Sequence, residues 1–305
     1  MTRPTADDNA RRVLLVHAHP DDETTSTGAT MARYAADGAA VTLLTCTLGE
    51  LGEVLVPELA ELAADRDDQL GGYRIGELAK AMVELGVTDH RFLGGPGRFR
   101  DSGMMGEPGN QAPRAFWRAD TDPEVMSAAV TAAVAVIREV RPQVLITYDE
   151  NGAYGHPDHI MAHRVAMAAV DAAAAPGGDG EPWSVTKVYW TAIPYSVLQR
   201  GMDAAKAAGV PFFDDSTDRA EDLPIGCPDD QVDSVVDGRD FLTAKTAAMR
   251  AHASQVAPDS VFFSVMSADP AGMWGMEYYR LVRGDAAGER DADGRETDLF
   301  AGVGD

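Results

Sequence analysis

The stretch RVLLVHAHPDDETTSTGATMARYAADG, residues 12–38, decides the fold. Its opening run, Arg12–His17, is apolar at four successive positions. Unbroken apolarity over strand length suits a strand covered on both faces, as in a parallel sheet, rather than one lying half in water. Residues 25–37 follow with helical composition, and Gly38 stands where a left-handed residue closes a helix. Strand, loop and helix in this order begin a βαβ unit.

The same alternation recurs outward from that stretch. Residues 41–47 (VTLLTCT) read as a second strand. Residues 57–86 are helical in composition, with an expected break near Gly71-Gly72 and an end at Gly86. Residues 91–93 read as a short strand. A helix opens at Asp122-Pro123-Glu124, where proline is tolerated, and runs to Val140 ahead of Pro142. Residues 144–148 (VLITY) form another buried-type strand, and a helix starts near Pro157. After the Pro/Gly-rich joint at 176–182, Lys187–Ala192 (KVYWTA) reads as one more strand and residues 239–253 as a helix. The expected fold is α/β: a Rossmann-like, mostly parallel sheet with helices on both faces, plus a smaller C-terminal α+β region. Residues 1–175 are read as the catalytic core. Residues 176–305 are read as a region that completes the fold and the pocket without being independent.

Composition narrows the function. The 305 residues hold 26 basic and 49 acidic side chains, a formal charge of −23, and lysine occurs only at positions 80, 187, 206 and 245. A nucleic-acid partner is excluded on this ground, since neutralising phosphates requires a basic footprint. Two segments concentrate the acidity: 214–240 carries ten acidic and two basic residues, and 285–305 carries seven and two. The N-terminus is polar, and no run reaches the roughly 18 apolar residues of a membrane helix. Cys46 and Cys227 stand far apart with no CxxC between them. The expectation is a cytoplasmic protein with reduced thiols and no membrane contact.

Four of the seven histidines fall in two short clusters, His17-Ala-His19-Pro20-Asp21-Asp22-Glu23 and Tyr154-Gly155-His156-Pro157-Asp158-His159. Each follows a predicted strand. In an open parallel sheet the carboxyl ends of strands form the rim where ligands gather, so both clusters belong at one rim. Imidazole nitrogens with a carboxylate oxygen suit Zn²⁺ or Fe²⁺, and two histidines with one carboxylate leave a position open for water. His19 and Asp22 supply two such ligands, with His159 completing the set from the second cluster. Asp21 is placed to act as general base, and His156 to donate a proton or hydrogen bond, its ring oriented by Asp158.

The remaining histidines are read more plainly. His17 is a hydrogen-bonded structural residue. His163, one helical turn past His159, has a packing or supporting role, with an H-x₃-H ligand pair as the alternative. His90 and His252 are isolated. The methionine pairs Met104-Met105 and Met273 with Met276 are read as gap-filling core. No glycine fingerprint for a dinucleotide, no phosphate-cradling lysine loop and no G-x-S-x-G elbow competes with a metal site.

VHAHPDDE and TYDENGAYGHPDH match the motif pair that marks the LmbE/PIG-L-like deacetylases, a zinc-dependent family acting on N-acetylglucosamine-type substrates. Over nearly the whole chain, LGELGEV, QLGGYRIGEL, GRFRDSGM and RETDLFAG resemble the mycothiol-biosynthesis branch, which removes acetyl from N-acetylglucosaminyl-inositol. The resemblance implies that His19, Asp22 and His159 bind one Zn²⁺ per subunit, with Fe²⁺ as the alternative, and that Asp21 is the base. It further implies His156 as acid or electrophile with Asp158 as partner, and Tyr154 as support for the oxyanion. Glu53, Arg74 and Asp101 match substrate-contact positions for a small pseudo-disaccharide.

Three rivals stand beside this expectation. A related amidase that cleaves thiol conjugates of mycothiol would use the same metal and mechanism on a longer acyl group. A non-catalytic sugar-binding module would keep the metal as structure. A two-metal phosphoesterase would need more carboxylates and histidines than the two clusters supply. The sequence leaves oligomeric state and the role of segment 214–240 open.

Overall fold

The structure is a computed structural model that describes residues 10–208, 217–257, 260, 263, 266 and 274–303. Its elements run β1 (Arg12–His17), α1 (Asp22–Ala36), β2 (Ala40–Thr45), α2 (Leu70–Glu84), β3 (Asp89–Phe92), α3 (Pro123–Val140), β4 (Val144–Thr147), α4 (Pro157–Ala174), β5 (Lys187–Ala192), α5 (Tyr195–Ala208), β6 (Ser234–Asp237), α6 (Leu242–Ala251) and β7 (Met276–Arg283). The strands make one sheet in the order β3-β2-β1-β4-β5-β7-β6. The first five are parallel, and β7 and β6 add an antiparallel edge.

The pleat sorts the apolar run of β1 between two cores. Leu14 and Val16 pack with residues of α3 and α4 on one face, while Val13 and Leu15 pack with residues of α1, α2 and α6 on the other. A strand covered on both sides needs apolar residues at consecutive positions, which is why RVLLVH reads as it does. From β1 the chain moves outward to β2 and β3, then returns to pair β4 on the other side of β1. The loops leaving β1 and β4 diverge there, opening the crevice at which such sheets bind ligands. Both histidine clusters sit at this point.

Several boundaries differ from the sequence expectation. Helix α1 starts at Asp22, earlier than its composition suggests, because Asp22 and Glu23 occupy its first turn. Carboxylates are favoured there by the exposed amides of a helix N-terminus. Residues 57–86 form a short 3₁₀ segment at Pro57–Leu62 and then α2, and Gly71-Gly72 lies within α2 instead of breaking it. A Cβ at Gly71 would come within 2.6 Å of Glu50 Cγ, so the glycine lets α2 approach the loop after β2.

Helix α5 and strands β6 and β7 lie outside the elements expected from the sequence. The acidic tail is also more deeply engaged than its composition suggests. Glu296 is fully buried and accepts hydrogen bonds from Lys187 Nζ, Tyr189 Oη, Ser234 Oγ and the Ala287 amide, while Leu299 and Phe300 join the core. Within segment 214–240, residues 214–216 lie outside the described residues, as does Met273. Met104 and Met105 are about half exposed and so do not fill the core. Both cysteines are free thiols. Among the described residues, no helix is long and apolar enough to cross a membrane.

Candidate active site

The loop after β1 carries His19, Asp21 and the start of α1, and the loop after β4 carries Tyr154, His156 and the start of α4. The switch point brings them together. Asp22 Oδ2 lies 3.3 Å from His19 Nδ1 and 3.3 Å from His159 Nε2. His156 joins the group, since His19, His156 and His159 each offer a ring nitrogen within 4.8 Å of the other two. His19 with Asp101 and Asp158 is equally compact. The close fit of the second loop depends on Gly152, where φ is +61° and a Cβ would come within 2.6 Å of the His159 Cβ.

These atoms suit a cation. Both ring nitrogens of His159 are buried without a hydrogen-bond partner among the described residues, although Nε2 faces Asp22. Buried polar atoms are normally satisfied, so an unpaired imidazole nitrogen beside a carboxylate marks a place for a positive ligand. Burial alone would push the His19 ring down, yet Asp101, Asp158 and Asp22 together hold its pKa well above the ordinary value. A spot where carboxylates outweigh desolvation favours positive charge, carried either by a proton or by a divalent ion. Mg²⁺ and Ca²⁺ prefer all-oxygen sites, whereas this mixed nitrogen and oxygen set suits a transition metal.

The neighbours of this cluster are placed as follows. Asp21 adopts φ 109° at the N-cap of α1, and its carboxylate meets Arg74 Nη2 at 3.0 Å. Burial raises the Asp21 pKa to about 6, Arg74 opposing and Asp22 adding to the rise. His156 caps α4, its Nδ1 accepting the Asp158 N–H at 3.1 Å. Burial and the rings of His19 and His159 push His156 down to about 3. A neutral ring with Nδ1 as acceptor carries its proton on Nε2, so His156 can donate a hydrogen bond there. Tyr154 is 44% exposed, with ring centroids 5.1 Å from His159 and 6.1 Å from His156. Burial and the nearby carboxylates raise its pKa, so the phenol keeps its proton.

Three of the expected site residues are held by partners within the protein. The Asp158 carboxylate accepts from the Ser102 amide at 2.9 Å and meets His19 Nε2 at 3.2 Å. It therefore steadies His19, and only the Asp158 backbone reaches His156. Arg74 is 2% exposed and donates to the Gly49 and Pro20 carbonyls as well as to Asp21, so it lies beneath the site instead of facing a substrate. Asp101 accepts from the Leu51 and Gly103 amides at 3.0 and 2.8 Å, and its Oδ1 lies 3.7 Å from His19 Nε2, so it joins the carboxylates around His19. Glu53 is exposed, its carbonyl held by Gln255 Nε2 at 3.2 Å.

The structure also adds one residue that sequence reasoning passed over, and it places three further histidines. Tyr148 stacks on His159 at 4.3 Å, and its hydroxyl accepts the Ala18 N–H at 3.0 Å. As the residue that follows β4, it was visible in sequence as the end of a strand. His17 bonds Thr27 Oγ1 at 3.0 Å, and His163 bonds the Tyr148 carbonyl at 3.0 Å, both in supporting places. His252, read as isolated, is buried against Glu23 of the first cluster.

The Arg74–Asp21 pair yields a pH prediction. An ionised Asp21 accepts protons, so activity that depends on it falls as pH drops through the Asp21 pKa. Arg74 stabilises the ionised form, so Arg74→Met is expected to move this acid limb to higher pH. It also leaves the Gly49 and Pro20 carbonyls short of a donor, at about 1–3 kcal/mol for each buried group. A pH–rate profile with a denaturant melt checks both, and an unmoved limb would separate Arg74 from the ionisation of Asp21.

A family model described as PIG-L, GlcNAc-PI de-N-acetylase, matches residues 14–170, which include both histidine clusters. The chain belongs to the PIG-L/LmbE family. A relative in Geodermatophilus obscurus, 1D-myo-inositol 2-acetamido-2-deoxy-alpha-D-glucopyranoside deacetylase, is 61% identical over 297 residues, covering 96% of this chain and 98% of its own. Among solved structures, N,N′-diacetylchitobiose deacetylase from Pyrococcus horikoshii has a TM-score of 0.58 at 19% identity, covering 90% of this chain and 85% of that one. The 4-carboxy-2-hydroxymuconate hydratase GalB from Pseudomonas putida reaches the same 0.58 at 18% identity, covering 92% and 100%. A deacetylase and a hydratase at equal structural similarity show that the PIG-L/LmbE-like fold does not choose the reaction; the site does.

Proposed function

We propose that the protein is a metal-dependent N-deacetylase that converts N-acetylglucosaminyl-inositol to glucosaminyl-inositol and acetate in mycothiol biosynthesis. The observation that carries this reading is the carboxylate of Asp21, held by Arg74 at 3.0 Å, beside the cluster in which Asp22 lies 3.3 Å from both His19 and His159. The 61% identity to a deacetylase of that substrate supports the choice of amide. His19, Asp22 and His159 would hold Zn²⁺, with Fe²⁺ the alternative for the same ligand types. A bound ion of this kind supplies Lewis acidity.

The chain's own residues do the rest in this reading. Ionised Asp21 accepts a proton from the attacking water as the C–O bond forms. Tyr154, kept protonated by its surroundings, donates a hydrogen bond to the oxyanion. His156 donates from Nε2 to the reacting group, since its Nδ1 is engaged by the Asp158 amide. Asp21 then returns its proton to the nitrogen as the C–N bond breaks, leaving amine and acetate. The Asp158 carboxylate orients His19, as a supporting carboxylate does for a metal-binding imidazole. With Arg74 and Asp101 engaged inside the protein, Glu53 is the exposed member of the proposed substrate set.

One observation favours a side activity on longer acyl groups, the chemistry of the mycothiol conjugate amidase. A cavity of about 320 Å³ opens beside Tyr154 and His159, lined in part by Ile193, Val197, Ile225, Trp274 and Met276. An acetyl methyl fills little of such a space. Both readings are tested by amine release from N-acetylglucosaminyl-inositol and from a bulky thiol conjugate of mycothiol. The acetyl substrate is expected to react faster. Ile225→Trp is expected to cost the bulky substrate about tenfold more in kcat/KM than the acetyl one, within the range for a crowded apolar pocket. Absence of amine release from the first substrate with metal supplied would overturn the deacetylase reading.

A further inference from the structure

Asp21 holds an unusual backbone conformation, φ 109° and ψ −29°, immediately before α1. L-residues keep such a conformation only where the surroundings over-determine it. Here two buried groups grip it. Arg74 Nη2 takes its carboxylate at 3.0 Å, and Glu23 Oε2 accepts its backbone N–H at 2.9 Å.

The other oxygen of Glu23 reaches across the fold. His252, the residue that closes α6, donates from Nε2 to Glu23 Oε1 at 2.9 Å, and Thr24 Oγ1 donates to the same oxygen at 2.6 Å. The turn after His252 is pinned to α2, where Glu77 accepts from the Ser254 amide at 2.7 Å and from Ser254 Oγ at 2.6 Å. Glu77 lies one helical turn beyond Arg74. A closed ring therefore runs from α2 through Arg74, Asp21, Glu23, His252 and Ser254 back to Glu77. Each of these except Asp21 is at most 2% exposed.

We propose that His252 is a positioning residue for Asp21, acting through Glu23 to hold the base in its left-handed conformation. This rests on the reading of Asp21 as the general base. His252 lies outside the span matched by the family model, and its Nδ1 is buried without a partner among the described residues. A residue kept only for packing would be better replaced by an apolar side chain, so the Nε2 contact accounts for a histidine here.

The test measures steady-state kinetics and metal content of the metal-loaded enzyme for His252→Leu, His252→Gln, Glu23→Gln and Asp21→Asn, and for His252→Leu combined with Asp21→Asn. His252→Leu is expected to lower kcat by roughly 100-fold, the scale of a displaced catalytic group, with KM and metal content unchanged. His252→Gln, whose amide can still donate to Glu23, recovers most of that loss. In the Asp21→Asn background His252→Leu has no further effect, because two residues acting through one group are not additive. If His252→Leu does not fold, Glu23→Gln carries the same expectation, since one amide cannot accept from both the Asp21 N–H and His252. An equal loss with or without Asp21, or a loss of bound metal, would overturn the positioning role. Full activity of Asp21→Asn would instead overturn the base assignment, and the two failures are distinct.

Discussion

Asp21→Asn is expected to lower kcat by about 10²–10⁴-fold, the usual contribution of a general base, while metal content stays at the level of the unchanged protein. Asparagine is the informative replacement. It tolerates positive φ better than other L-residues, so the 109° conformation survives. Its side-chain oxygen still accepts from Arg74, and Asp22 next to it is untouched. What disappears is the carboxylate able to take a proton. The parent enzyme should lose kcat/KM as pH falls through about 6, where Asp21 becomes protonated. A neighbouring divalent ion lowers that limb by favouring the ionised carboxylate. The residual activity of Asp21→Asn should show no such limb. Steady-state rates across pH, with metal analysis of the same samples, check both; near-parental activity would remove Asp21 from the chemistry.

Stripping the metal is expected to abolish amine release, and adding back Zn²⁺ or Fe²⁺ to restore it. The same titration should raise thermal stability. A ligand that binds only the folded state stabilises it by about 4 kcal/mol at a thousandfold excess over its Kd. The physical cause is local: Asp22, Asp101 and Asp158 surround His19, and His159 Nε2 faces Asp22 with no hydrogen-bond partner among the described residues. His159→Gln keeps bulk beside Tyr148 but not the ligand nitrogen, and should lose both the metal-dependent stabilisation and the activity. Metal-independent turnover would end the proposal, as would equal stabilisation of His159→Gln.

The parts of the site legible in sequence were those packed into two short segments. His19, Asp21, Asp22 and His159 follow apolar runs that read as buried strands, and a parallel sheet puts strand ends at one rim. Local reading stopped where a partner came from far along the chain. Arg74 matches a family substrate position, yet its guanidinium is drawn under the loop by Asp21 and two carbonyls. Asp158 stands two residues after His156, which suggested a pair. The N-cap geometry of α4 instead turns its carboxylate to His19 and leaves only its amide for His156.

The residues 12–38 from which the fold was read set the strand, the helix and their parallel continuation, because hydrophobic periodicity and helix ends are local properties. The chemistry classes were local too: imidazole and carboxylate types at close spacing specify what can be bound. What each carboxylate does was decided only by tertiary structure. Glu23 and Glu296 are identical side chains in acidic stretches, but one is buried against His252 under Asp21 and the other against Lys187 in the sheet. Burial makes an unpaired charge costly, so the role of each is set by the partner that long-range folding delivers.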